Sequence, residues 1–212
     1  MKKNVQAVLD TLLTRYPALG AMRTLCAAFD LLHETYASGG KLLICGNGGS
    51  MSDAEHIVGE LMKSFTLRRP IPEDVRMRLE SDGAEGALLA QKLEGALPAV
   101  ALGAHTALTS ATSNDVGGQL AYAQQVYGLG RAGDALLVLS TSGDSENCVF
   151  AATAARVLGM RVLAMTGVGG GRLAACADVA LCVPAKETYQ VQEYHLPIYH
   201  ALCAMLEEEF FG

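Results

Sequence analysis

The chain has 212 residues, half of them hydrophobic, with a formal net charge of −6 and no tryptophan. That length suits one domain whose core needs no disulfide staples. No apolar run reaches the roughly 20 residues of a membrane span, and an acidic chain poor in aromatics lacks the basic stripe and stacking platform of a nucleic-acid binder.

From the N-terminus, Val5, Val8, Leu9, Leu12 and Leu13 fall at helical spacing until Tyr16-Pro17. Met22, Leu25, Cys26, Phe29 and Leu32 resume the pattern, so residues 1–38 read as two helices ahead of Ser38-Gly39-Gly40. Gln6, Asp10 and Thr11 interrupt what a secretory signal needs after Met1-Lys2-Lys3. Five short apolar runs without alternation follow: 42–45, 99–102, 135–139, 162–165 and 179–183. Runs apolar on both faces are the mark of a covered parallel sheet. Helical segments separate most of them, which predicts an α/β fold, a three-layer α/β/α sandwich around a five-stranded parallel sheet with N-terminal helices added. Between Phe65 and Leu97 the chain is charged, carries Pro70 and Pro72, and turns helix-like only near 85–93; it reads as a surface insertion or a substrate-shaping lid. Six cysteines without CxxC pairing, mostly in apolar segments, predict buried thiols in a reducing, cytoplasmic setting.

Ligands of open parallel sheets collect at the carboxyl ends of strands, and two strand ends here carry conspicuous loops. The first, Gly46-Asn47-Gly48-Gly49-Ser50, lacks the third glycine of a dinucleotide fingerprint, where Met51 stands. The second, Ser140-Thr141-Ser142-Gly143-Asp144-Ser145, sets hydroxyls and helix-start amides together, a neutral trap for phosphate; simple helix capping is the plainer explanation. His56 and Glu60 stand four apart on the helix after the first loop, hence on one face, as a surface ion pair also would. On a final helix Gln192 and His200, eight apart, share a side, with Pro197 expected to kink the helix between them. Tyr194 and His195 read as packing residues.

Taken in order, GNGGS with His56 and Glu60, the pair Asn114-Asp115, STSGxS, and Gln192-Glu193 with His200 resemble the phosphoheptose isomerases of the sugar isomerase (SIS) domain family from about Lys41 onward. The resemblance implies a single SIS domain over 1–212, with 65–97 inserted, that converts sedoheptulose 7-phosphate to a heptose 7-phosphate through an enediol. It implies that Glu60 and His200 form the acid–base pair. Asn47, Gly48, Gly49, Ser50, Asp115, Ser140, Thr141, Ser142, Ser145 and Gln192 would line the substrate. It further implies zinc on His56, Glu60, Gln192 and His200, and a homotetramer with active sites between subunits. A small-molecule phosphosugar is the expected partner, with no nucleic acid and no membrane. The chain departs from the pattern in the long 65–97 segment, in Tyr189 where many relatives carry an acid, and in Pro197. The alternatives are a non-catalytic SIS module that binds a phosphosugar or a protein, and an enzyme for another sugar phosphate.

Overall fold

A computed structural model describes residues 2–21 and 24–212. Met22, placed by its spacing on the second helix, lies outside them. Five strands form one parallel sheet: β1 (Leu42–Gly46), β2 (Ala99–Ala101), β3 (Ala135–Leu139), β4 (Arg161–Thr166) and β5 (Val179–Cys182). Their order is β2-β1-β3-β4-β5. The five apolar runs are these strands, and β1 and β3 are buried along their whole length.

Alternate residues explain the two layers, because successive side chains of a strand point to opposite faces. Leu42, Ile44, Leu137, Leu139, Leu163 and Met165 meet helices α1 (Lys3–Arg15), α2 (Thr24–Ala37), α3 (Gly49–Met62) and α10 (Thr188–Phe211). Leu43, Cys45, Leu136, Val138, Val162 and Ala164 meet α7 (Ala121–Leu129), α8 (Glu146–Val157) and α9 (Gly171–Cys176).

The 65–97 segment holds two short helices rather than one, α4 (Glu73–Glu80) and α5 (Gly83–Lys92), packed as a hairpin. A further short helix, α6 (Thr106–Thr112), follows β2. Pro197 does not break α10, which runs through it as one helix of 24 residues. The carbonyl that loses its donor to proline belongs to Glu193, an exposed residue, so water can satisfy it. All six cysteines are free, but only Cys45, Cys148 and Cys203 are fully buried, and Cys26 is exposed. No helix among the described residues is long and apolar enough to cross a membrane.

The chain leaves β1 toward β2 on one side and later returns to place β3 on the other. The loops after β1 and β3 therefore diverge, and a crevice opens between them at the carboxyl edge.

Candidate active site

The loop after β1 is held from several directions. The Tyr122 hydroxyl donates to the Gly46 carbonyl at 2.5 Å. Asn47 and Asn147 exchange amide hydrogen bonds of 3.0 and 2.8 Å, tying this loop to the start of α8. Ser50 is buried at the first turn of α3, while Asn47, Gly48 and Gly49 are exposed. A Cβ on Gly49 would stand 2.6 Å from Nε2 of Gln192, so glycine is what lets α10 lay that amide over the loop.

The loop after β3 folds back on itself. Gly143 N–H donates to the Ser140 carbonyl at 3.0 Å, and the Ser140 and Ser145 hydroxyls lie 3.1 Å apart. Asp144 N–H donates to the Ser142 hydroxyl at 3.1 Å, and Thr141 accepts from Gly167 N–H at 3.0 Å. Ser142 is exposed and Thr141 half-buried. The loop ends at the N-terminus of α8, where amide dipoles favour an anion. Arg172, at the start of α9, donates to the Asp144 carbonyl at 2.6 Å and brings a guanidinium beside the loop. Its contribution rests on a tertiary approach that nothing near residue 140 announces.

Where α3 crosses α10, three groups converge. His56 Nε2 lies 3.1 Å from Glu60 Oε1 and 3.5 Å from His200 Nε2. One ligand atom from each of His56, Glu60 and His200 falls within 4.8 Å of the others. Tyr199, absent from the sequence reading, stands behind them: its hydroxyl lies 3.0 Å from His56 Nδ1 and donates to Asp53 Oδ1 at 3.2 Å. With that proton committed to Asp53, the Tyr199 oxygen accepts from Nδ1–H of His56. The His56 Nε2 lone pair then faces Glu60 and His200. Burial, then the neighbouring His56, lower the His200 pKa, which favours its neutral form. Burial likewise raises the Asp53 carboxyl, against the pull of the Tyr199 hydrogen bond.

This arrangement fits a cation. Oε2 of Glu60 is buried without a hydrogen-bond partner, and His56 Nε2 faces the other carboxylate oxygen at 3.1 Å. Two imidazole nitrogens and a carboxylate are the donors zinc takes, about 2.0–2.2 Å from the ion in tetrahedral sites. Gln192, two turns before His200, has its amide on Gly49. Asp115 lies in the exposed turn between α6 and α7, where it accepts from Asn114 at 2.8 Å. On its other side the cluster opens into a groove of about 670 Å³ between α1 and α10, lined by Val8, Leu12, Phe65, Pro197 and His200 among others.

The SIS domain model matches residues 7–96 and 89–167. The phosphoheptose isomerase of Akkermansia muciniphila is 35% identical over 84% of this chain and 82% of its own. That of a Roseiflexus species is 39% identical over 84% and 78%. Among solved structures, phosphoheptose isomerase GmhA from Neisseria gonorrhoeae superposes with a TM-score of 0.73 at 32% identity, covering 96% of this chain and 97% of that one. On these matches, spread over sequence and fold alike, the chain belongs to the phosphoheptose isomerase family of SIS-domain proteins.

Proposed function

We propose that this chain is a sugar-phosphate isomerase that interconverts sedoheptulose 7-phosphate and the corresponding aldoheptose 7-phosphate. The observation that carries the reading is the convergence of Glu60 and His200 around His56, beside two hydroxyl- and amide-rich loops at the switch point of the sheet. Similarity to the phosphoheptose isomerases supports the choice of sugar.

In this reading the phosphate sits at Ser140, Thr141, Ser142 and Ser145, where hydroxyls and the α8 N-terminus supply donors, with the Arg172 guanidinium beside the loop. Asn47, Ser50 and Gln192 hold sugar hydroxyls over the Gly48-Gly49 turn, and Asp115 contributes from the turn before α7. Moving a carbonyl by one carbon requires removal of a carbon-bound proton and its return to the neighbour. Glu60 and His200 divide that work as base and acid. His56, Glu60, Gln192 and His200 would hold zinc, which would supply electrophilic stabilisation of a developing oxyanion, while Glu60 and His200 would move protons on the carboxylate oxygen and ring nitrogen left free of the metal. A second copy packing on the α1–α10 groove would complete the open side of the site, consistent with a homotetramer. One SIS domain spans 1–212, with 1–38 and 65–97 as additions. Six free thiols suit a reducing cytoplasm.

The test compares turnover of sedoheptulose 7-phosphate by metal-stripped protein, zinc-restored protein and His200→Ala. Bound zinc is measured in parallel by elemental analysis. The reading expects turnover that requires His200, and less retained zinc in the variant. Detectable phosphosugar binding with no turnover in any sample would refute the isomerase and favour a sensing module.

A further inference from the structure

Among the described residues, the most deeply buried charges lie just outside this site. Arg69 and Glu207 are both 0% exposed, with Nε and Oε1 2.6 Å apart. Such a pair is costly to bury unless its remaining donors and acceptors are met. Here the partners are the backbone that carries the site. Arg69 Nη1 and Nη2 donate to the carbonyls of Leu61 and Glu60, each at 2.8 Å. These belong to the last turn of α3, whose carbonyls have no partner inside the helix. Glu207 accepts the N–H groups of Phe65, Thr66 and Leu67 at 2.8, 2.7 and 3.0 Å, and the Thr66 hydroxyl at 2.5 Å. The Phe211 ring covers the guanidinium, 5.0 Å from its centroid.

The geometry links both halves of the reacting pair. Arg69 grips the carbonyl of Glu60 itself. Glu207 lies two turns beyond His200 on α10. Phe65, whose amide Glu207 holds, packs its ring 5.7 Å from the His200 imidazole. One buried ion pair thus bridges the end of α3 to α10 beside the site.

We propose that Arg69 and Glu207 are positioning residues that fix Glu60 against His200, so that this pair governs turnover rather than substrate capture. The proposal rests on the isomerase reading. The phosphate loop stands on β3 and α8, elements that neither residue hydrogen-bonds.

The experiment measures kcat, KM and melting temperature on sedoheptulose 7-phosphate for the whole chain, Arg69→Lys, Arg69→Met and Arg69→Met/Glu207→Leu. An ångström of misplacement can cost roughly 100-fold in rate, so kcat should fall at least about tenfold in the Met variants while KM stays within about threefold. Lysine keeps the charge but cannot span two carbonyls, and should fall between. The apolar double variant removes the buried charges but strands the amides of Phe65, Thr66 and Leu67, so its melting temperature should recover only in part. It should not regain kcat. Recovery of both would show a merely structural pair and overturn the proposal. If the Met variants do not fold, Arg69→Lys decides: unchanged kcat, or a loss carried by KM, overturns it equally. A wild-type chain without turnover would instead refute the isomerase reading, and the positioning role with it.

Discussion

Replacing Gly143 by alanine should damage phosphate binding far more than it damages the fold. Gly143 has φ +73°, where an L side chain costs about 1–2 kcal/mol. A Cβ there would lie 2.1 Å from the Gly170 carbonyl oxygen and 3.0 Å from the Gly171 nitrogen, both backbone atoms that cannot rotate aside. The loop must therefore lift. That motion strains two backbone hydrogen bonds, Gly143 N–H to Ser140 and Leu173 N–H to Gly143, each worth about 0.5–1.5 kcal/mol net. The whole comes to about 2–5 kcal/mol. β3 and β4 beneath the loop are held by their own ladder, so the strain falls on the loop. At 1.4 kcal/mol per tenfold, affinity for the sugar phosphate should drop roughly 30-fold or more. Calorimetric titration with sedoheptulose 7-phosphate reads the affinity, and a thermal melt reports the fold. Gly133→Ala is the control. It carries the same backbone penalty at φ +90°, in open space at the far end of β3, and should lower stability by about 1 kcal/mol with affinity unchanged. A folded Gly143→Ala protein that binds within about twofold of wild type would refute the phosphate-loop assignment.

Burial lowers the pKa of His195 from 6.5 to about 4, opposed only in part by the backbone of Thr166. Between those values the unfolded chain holds the extra proton, so stability rises with pH across the window. It is complete above about 6.5 and lost toward 4, a total of about 3 kcal/mol from this residue. Urea titrations at pH 7.5, 5.5 and 4.5 should show that loss in the wild type and a flatter profile in His195→Leu; equal slopes would contradict the assignment. At the opposite edge of the sheet, the Asp134 carboxylate accepts the N–H groups of Lys41 and Arg131, each at 2.9 Å, and the Lys41 ammonium at 2.5 Å. Asp134→Ala strands those amides, ahead of β1 and β3, and should cost about 2–3 kcal/mol in urea unfolding. Substrate affinity of the folded fraction should not change, and a parallel loss of affinity would show that the two edges communicate.

The sheet was legible because its strands are buried on both faces and therefore apolar without interruption, a pattern that needs no tertiary knowledge to read. Helix α4 was not, for the opposite reason. Its sequence EDVRMRLE buries no residue, so it shows no apolar period. Arg76 pairing with Glu73 and Glu80, together with contact against α5, supports it instead. Proline at 197 predicted a kink from local sterics alone. The helix nonetheless continues through Pro197, with Val191, His195, Ile198, Tyr199 and Leu202 buried on both sides of the missing hydrogen bond. At the site, His56 and Glu60 were recognisable as a pair because four residues make one helical turn. Asp53, Tyr199 and the Arg69–Glu207 pair were invisible because each finds its partner on another element, and no spacing records that approach.

That remoteness has a bearing on how the protein acquires activity. His56 and Tyr199 are 143 residues apart in the chain, and Arg69 and Glu207 are 138 apart. Contacts of such long range carry a large loop-closure entropy and form slowly compared with local helices. During refolding from urea, far-UV circular dichroism should therefore recover before substrate binding does. The interval between the two signals would time the docking of α10 onto α3, the step at which a folded sheet becomes an enzyme.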